Sequence, residues 1–158
     1  MTQKPLLRAV RLCPEHIAGA AELEALCFAE PWSKKALGML CTEGHVGVAV
    51  LTVPDGRVVA YGGMMTVLDE GQILNVATSP LYRRMGCAKL VMRFLCEYAD
   101  THRLSTLSLE VRASNTAAIS LYEACGFLRV GVRRGFYKNP VEDAYVMLRQ
   151  SPSANHHF

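Results

Sequence analysis

The stretch ILNVATSPLYRRMGCAKLVM, residues 73–92, decides how the chain is read. It opens with ILNVAT, an apolar run of strand length. A turn, SPLY, follows, and two arginines then run into Gly86. From there Ala88, Val91, Met92, Leu95, Tyr98 and Ala99 recur at helical spacing through residue 102. A helix start carries unpaired N–H groups and the positive end of the helix dipole, so it holds an anion well. Gly86 lets a ligand approach the main chain closely, Ala88 keeps the first turn slim, and Arg83, Arg84 and Lys89 add positive charge. The pattern is neither a Walker A loop, which needs GKS or GKT, nor GxGxxG. A lone RxxGxA match is also compatible with a solvated basic surface. Its placement between a strand and a helix points to a phosphate.

Working outward, RAVRL near the N-terminus alternates as a short strand. PEHIAGAAELEALCF is helical, with Ile17, Ala20, Ala21, Leu23 and Leu26 roughly on one face. Ser33 in PWSKKALGML caps a second short helix. HVGVAVLTV and RVVAYGGMMTVL flank PDG, which predicts a hairpin. STLSLEV sets Leu107, Leu109 and Val111 on one face. Ser114 or Asn115 caps a further helix that stops at Gly126. FLRVGVRR and DAYVMLR close as strands. The order β-α-α-β-β-β-α-β-α-β-β predicts an α/β fold, a mixed sheet with helices on its faces. One domain is expected over residues 1–150, with residues 151–158 a loose tail carrying His156 and His157.

The 158 residues are 51% hydrophobic and 20% charged, the make-up of a chain that builds a core. A net charge of +3 is too mild to imply nucleic-acid binding. The six cysteines form no CxxC pair, and no His completes a zinc site, so no metal is expected. They are expected to be free thiols, mostly small buried hydrophobes, in a reducing cytoplasm. The N-terminus reads as no signal peptide, and no apolar run is long enough to span a bilayer.

ILNVATSPLYRRMGCAKLVM followed by LSLEVRASNTAAISLYEACGF, residues 107–127, resembles the GCN5-related N-acetyltransferase (GNAT) family. More narrowly, the chain is similar to RimI-type ribosomal-protein-alanine N-acetyltransferases. The match runs over about residues 73–147, and FAEPWSKKAL, residues 28–37, matches the narrower group. LEVRASNTAAISLYEACGF is the most specific part. GCA stands where the family's loop more often ends G-x-G. Thr78 and Ser79 stand where it usually has an aliphatic residue and an acid. The resemblance implies the GNAT fold, a mostly antiparallel sheet of six to seven strands with about four helices. It also implies acetyl-CoA as cosubstrate. Main-chain groups of Val76, Ala77 and Thr78 are then expected to pair with the pantetheine arm as an added strand would. Arg84, Met85, Gly86, Cys87, Ala88 and Lys89 are expected to wrap the pyrophosphate, with Asn115 near the thiol end unless it is simply a helix cap.

Acetyl transfer from a thioester to an amine requires an amine that loses a proton, a steadied carbonyl oxygen and a proton for the departing thiolate. No Ser-His-Asp or Cys-His set suggests a covalent nucleophile, so direct attack by the amine is expected. Glu110 lies opposite the Leu107–Leu109–Val111 face, at the C-terminal end of its strand. It is placed either to take the amine proton or to pair with Arg112, two residues on. Tyr122 lies on the Ala118–Leu121–Tyr122–Cys125 stripe of its helix, as a core tyrosine would. The resemblance implies Glu110 as base and Tyr122 as acid, with the oxyanion held by a main-chain N–H near Val76 or Ala77.

An α-amine with a pKa of about 7.7–8.0 is about a tenth neutral at pH 7, whereas a lysine near about 10.4 is neutral in only a few ten-thousandths. One carboxylate therefore suits a protein N-terminus better, although burial can lower a lysine pKa. Trp32, the only tryptophan, and Tyr137 are candidates to line the acceptor site, with Trp32 equally placed as a core anchor. Asp69-Glu70 and Glu142-Asp143 are expected in loops, where they would suit a basic peptide. The implied partner is the N-terminal alanine of a small-subunit ribosomal protein, acted on by a monomer or weak homodimer without direct contact to nucleic acid. The alternatives are a lysine or small-amine acetyltransferase, a non-catalytic CoA sensor, and an RNA binder using Arg83, Arg84, Arg133 and Arg134.

Overall fold

The computed structural model describes residues 5–152. The elements run β1 (Leu6–Arg11), α1 (Ile17–Cys27), α2 (Lys34–Gly38), β2 (His45–Val53), β3 (Val58–Val67), β4 (Glu70–Thr78), α3 (Cys87–Thr101), β5 (Thr106–Arg112), α4 (Thr116–Ala124), β6 (Leu128–Tyr137) and β7 (Glu142–Gln150). The seven strands form one sheet in the order β1-β2-β3-β4-β5-β7-β6. β1–β2, β2–β3, β5–β7 and β6–β7 pair antiparallel, and β4–β5 pairs parallel. The α/β class, the strand count and the order of elements agree with the sequence expectation. Among the described residues, no helix is long and apolar enough to cross a membrane.

Two compact units divide the described residues: one runs up to Met65 and adds Leu74–Leu95, and the other joins Thr66–Ile73 to the residues from Cys96 onward. In the first unit, PDG does close a hairpin. The Thr52 hydroxyl donates to Asp55 at 2.7 Å, the Gly56 N–H donates to the Thr52 carbonyl at 2.8 Å, and Gly56 has φ +71°. That conformation is easy for glycine and strained for other residues. Ser33 caps α2 by accepting from the Ala36 N–H at 3.1 Å. Leu12, Ala20, Leu23, Leu37, Leu40, Ala49, Tyr61 and Ala77 form the unit's core.

One face was misassigned from periodicity. Leu26, expected inside with Ile17 and Leu23, is 66% exposed, while Glu24 is 1% exposed. The inward stripe of α1 runs Ala20, Leu23, Glu24 and the half-buried Cys27, an ordinary 3–4 spacing that happens to include an acid. An all-apolar choice of face passes over it.

In the second unit, Leu107, Leu109 and Val111 of β5 are buried, as alternation predicts. Arg149 of β7 grips Asp100 of α3 with two bonds, 3.1 and 3.0 Å. Its Nε donates to the Cys125 carbonyl at 3.2 Å. One guanidinium thus ties α3 and the end of α4 to the sheet, a use of its rigid fork, and it satisfies a helix-end carbonyl. Asn115, rather than Ser114, caps α4, accepting from the Ala118 N–H at 3.2 Å. Gly126 ends it at φ +96°.

Three expectations need correction. Glu70, Glu142 and Asp143 belong to strands, since β4 begins at Glu70 and β7 at Glu142. Ser151, assigned to a loose tail, is buried, and its N–H donates to the Ser105 carbonyl at 2.8 Å because the chain carries the β5–β7 pairing one residue past Thr106↔Gln150. Residues 153–158, with His156 and His157, lie outside the described residues. Of the six free cysteines only Cys87 and Cys96 are fully buried, and Cys41 is exposed. Cys13, Cys27 and Cys125 are half-buried.

Gly62 of β3 and Gly38 of α2 give opposed stability predictions. A Cβ on Gly62 would strike the Cγ1 of Val91, a stiff branched side chain of α3, and would lie 3.3 Å from the Asn75 carbonyl. One on Gly38 would meet nothing within 4 Å. Gly62→Ala should lower stability by about 1–3 kcal/mol through overpacking. Gly38→Ala should raise it by about 0.4–1 kcal/mol by restricting the unfolded chain. Urea unfolding midpoints check both.

Candidate active site

Glu110 sits on β5 opposite Val146 of β7, and Val146 in turn faces Gly131 of β6. Two residues along, Arg112 faces Ala144, which faces Arg133. Residues directly opposite one another in a sheet share a face. Glu110, Arg112, Gly131 and Arg133 therefore stand on one side of the second unit's strands. The Glu110 side chain is 15% exposed, and its Oε1 lies 3.5 Å from the Arg133 Nε. Arg133 itself is 59% exposed, so the carboxylate meets a cation at the solvent edge.

The alternative pairing of Glu110 with Arg112 does not form. Arg112 turns to the β6–β7 connection instead. It donates to the Lys138 and Pro140 carbonyls at 3.1 Å each and to the Glu142 Oε1 at 3.3 Å. Three acceptors at matched spacing hold a guanidinium better than one carboxylate on its own strand. Glu142 also accepts from the Ser114 N–H at 2.6 Å. Hydrogen bonding from Ser114, side chain first and main chain next, and then from Arg112 holds its carboxyl below the usual carboxylate range. Asp143 accepts from the Gly135 N–H at 2.8 Å and pairs with Arg134 at 3.7 Å. Asp69 accepts from the Ser105 hydroxyl at 2.8 Å. These acids are committed to shaping loops and strand ends, which weakens the reading of them as attractors of a basic peptide. Arg133 and Arg134 are likewise paired with acids, which removes two cations from the RNA-binding alternative.

Tyr137, at the end of β6, lies under the Arg112 guanidinium, 4.4 Å from ring centroid to Cζ. Its phenol pKa is raised, first by burial and then by the negative charge of Glu110. Tyr122 is half-buried on α4, 6.1 Å from the Phe127 ring. Its pKa is pushed up to about 12, mainly by burial, with Tyr137 the next cause. Among the described residues no side-chain partner takes its hydroxyl, and that oxygen is not sealed from solvent. The hydroxyl is thus a held proton with no assigned acceptor, unlike that of a satisfied core tyrosine. Glu110 thus raises the Tyr137 phenol, and Tyr137 in turn raises that of Tyr122, within one unit.

The RRMGCA loop, expected from sequence to hold a phosphate, lies in the first unit. Gly86 has φ +82° and Arg84 φ +64°, and a Cβ on Gly86 would meet nothing within 4 Å. The Gly86 carbonyl accepts the first helical bond of α3, from the Leu90 N–H at 3.0 Å. The N–H groups of the preceding turn have no carbonyl within the helix to bond, and Arg83, Arg84 and Lys89 stand exposed around them. Cys87 is buried, its thiol directed at the Tyr82 carbonyl at 3.7 Å and pushed up in pKa by that burial. On β4, Ala77 packs in the core, and the Thr78 carbonyl accepts the Cys27 thiol at 3.3 Å. The β4–β5 register runs only from Glu70↔Thr106 to Gln72↔Ser108, so Val76, Ala77 and Thr78 lie beyond it.

Trp32 is half-buried against the first unit's core. Its N–H donates to the Glu24 Oε1 at 2.8 Å. Glu24, Tyr61 and Asn75 were not singled out from sequence. The available signal was an acid at the 3–4 spacing of an otherwise apolar helix face. Among the described residues, no group of three or more His, Cys, Asp or Glu is arranged to hold a metal ion.

A model of the acetyltransferase (GNAT) family matches residues 17–127. The ribosomal protein bS18-alanine N-acetyltransferase of Salmonella typhimurium is 35% identical over 133 residues, spanning 83% of this chain and 88% of that protein. The N-alpha-acetyltransferase RimI of Mycobacterium tuberculosis is 34% identical over 140 residues, spanning 83% and 84%. A crystal structure of the ribosomal-protein-S18-alanine N-acetyltransferase from Escherichia coli superposes with a TM-score of 0.85 at 30% identity, covering 97% of this chain and 99% of that one. With its strand order, its RRMGCA loop and these matches taken together, the chain belongs to the GNAT family of acetyltransferases.

Proposed function

We propose that this chain transfers an acetyl group from acetyl-CoA to the α-amine of a protein N-terminus, and that its acceptor is the N-terminal alanine of a small-subunit ribosomal protein. The observation that carries the reading is the pairing of tasks in the second unit. There a carboxylate at the solvent edge and a phenol that burial pushes up to about 12 belong to one compact unit. The named relatives, 30–35% identical over most of their lengths, support the choice of acceptor.

The loop fits a nucleotide-linked phosphate. Gly86 leaves its Cβ position open and adopts φ +82°, and three exposed cations surround the start of α3. Arg84, Met85, Gly86, Cys87, Ala88 and Lys89 are the residues proposed to bind the pyrophosphate. Val76, Ala77 and Thr78, which lie beyond the β4–β5 register, are the residues proposed to take the pantetheine arm. When bound, the thioester supplies the activated acetyl group.

The chain's own residues then handle protons. Glu110 takes one from the amine at Oε1 or Oε2, directly or through a water, and Arg133 orients the carboxylate from its outer side. Asn115 is already engaged as the cap of α4, a duty compatible with a second contact to the cosubstrate through its amide nitrogen. The Tyr122 Oη keeps its proton at neutral pH. It holds that proton more tightly than an ordinary thiol, of pKa about 8.5, holds its own. Tyr122 therefore serves a departing sulfur first as a hydrogen-bond donor, and complete transfer requires its environment to become more polar. An N–H near Val76 or Ala77 is proposed to steady the carbonyl oxygen.

Incubation with acetyl-CoA and an alanine-started ribosomal peptide should release free thiol and acetylate the α-amine, read by mass spectrometry. A panel containing lysine peptides and small amines tests the acceptor class, and preference for those would replace the proposed acceptor. Glu110→Gln should lower kcat/KM by about 10²–10⁴-fold, the usual yield of one positioned acid or base. Tyr122→Phe should lower kcat with little change in either KM.

Tyr122 also makes a stability prediction. Its folded pKa, about 12, lies above the ordinary phenol value. Below pH of about 10 both folded and unfolded chains keep the proton and stability is unaffected. Between that value and the folded pKa only the unfolded chain loses it, so stability falls as pH rises. Tyr122→Phe should reduce this slope by up to about 1 kcal/mol per pH unit, measured as urea midpoints between pH 9 and 11.

A further inference from the structure

The β4–β5 register ends at Gln72↔Ser108, while β4 itself runs on to Thr78. A strand without a neighbour on one side has fewer main-chain bonds to hold it. Two ties from α1 reach this part of β4. The Asn75 Nδ2 donates to the Glu24 Oε2 and to the Tyr61 hydroxyl, at 3.0 Å each. The Cys27 thiol donates to the Thr78 carbonyl at 3.3 Å. Glu24 and Cys27 are neighbours one turn apart on α1, and Asn75 and Thr78 bracket Val76 and Ala77 on β4. Just past the strand, the Ser79 N–H donates to the Val59 carbonyl of β3 at 2.8 Å. All the residues that make these ties, and the RRMGCA loop, belong to the first unit.

The anchor at Asn75 is firm because Glu24 is. Glu24 is 1% exposed, and two further donors meet it, the Trp32 N–H at 2.8 Å on Oε1 and the Tyr61 hydroxyl on Oε2. A buried carboxylate gives up a donor only at a cost. Burial, and next the bond to Glu24, raise the Tyr61 phenol, so it keeps the proton it donates. The Asn75 amide is thus held between two side chains that are themselves fixed. At the other tie, a carbonyl has two lone pairs, so the Cys27 thiol leaves the Thr78 oxygen able to accept from a ligand amide as well.

We infer that Glu24 and Cys27 are positioning residues for the cosubstrate: through Asn75 and the Thr78 carbonyl they hold residues 76–78 in the extended form that an amide-bearing arm pairs with, before that arm arrives. The inference rests on the acetyl-CoA reading given above. An arm that binds as an added strand draws its affinity from main-chain hydrogen bonds. Each residue ordered only on binding costs conformational entropy, and a segment already ordered avoids that cost. The nucleotide half of the cosubstrate is assigned to different residues, 84–89 at the start of α3. Its binding does not depend on the two ties, which separates their role from a general effect on stability.

Asn75→Ala combined with Cys27→Ala cuts both ties and leaves Glu24 the Trp32 and Tyr61 donors. Far-UV circular dichroism establishes that the variant is folded. Calorimetry is run with CoA and with 3′-phospho-ADP, the nucleotide half without the pantetheine arm. The Kd for CoA should rise by about tenfold, with the Kd for 3′-phospho-ADP within about twofold of wild type. In the ligand-free chain, amide exchange over residues 76–78 should speed by about tenfold. Cys27→Ser, which keeps a donor, should bind CoA more tightly than Cys27→Ala. If the double variant does not fold, Asn75→Ala and Cys27→Ala taken singly each cut one tie and should each weaken CoA binding without weakening that of the nucleotide. Unchanged CoA affinity in a folded variant, unchanged exchange over residues 76–78, or equal losses for CoA and the nucleotide would overturn the proposal. If the wild-type chain binds no CoA, the cosubstrate reading above fails, and the exchange rates alone decide whether the two ties order β4.

Discussion

A carboxylate buried without a cation constrains everything around it. Placing such a group in an apolar interior is costly unless donors meet it. At Glu24 the donors are a main-chain N–H, a phenol and an amide. None can be moved far without stranding the charge. The first unit's helix α1, strands β3 and β4 and the turn to Trp32 are held to one arrangement by this single requirement. Apolar packing among Leu23, Leu37 and Tyr61 supplies the burial, but apolar contacts are tolerant of small slides. The polar node is not, because hydrogen bonds weaken steeply with angle.

The second unit is organised by arginines. Arg149 fastens α3 and α4 to β7, and Arg112 fastens the β6–β7 connection to β5. Arg133 meets Glu110 at the solvent edge. The first two are satisfied by several acceptors at once and serve as structural ties. The third makes one longer contact, at 3.5 Å, and most of its side chain is in water. An exposed pair of that kind contributes little to stability. It limits where the Glu110 carboxylate can point. This division explains why Glu110 and Arg112, neighbours on one face, do not simply neutralise each other.

The same burial that makes Tyr122 a poor acid makes it a dependable donor. A phenol pushed up to about 12 carries its proton at every physiological pH. Tyr137 sits between the two in electrostatic terms, influenced by Glu110 and influencing Tyr122. A change at Tyr137 therefore reaches Tyr122.

Local pattern determined a good deal of this protein. Period-two alternation in STLSLEV placed Leu107, Leu109 and Val111 inside. The PDG turn closed the β2–β3 hairpin, Ser33 capped α2, and Gly86 marked the start of α3. These features are set by residues within a few positions of one another, which is why they are legible in a linear chain. The partners of charged side chains were not legible. Nothing local says that Glu110 meets Arg133 rather than Arg112, since that depends on the β5–β7–β6 register. Nothing local says that Glu24 lies inside while Leu26 faces solvent, since that depends on donors 8, 37 and 51 residues away. Sequence alone determined the elements, their order and the family. Only the tertiary structure decided which charges meet, because long-range electrostatic pairs are chosen by the folded geometry and not by neighbours along the chain.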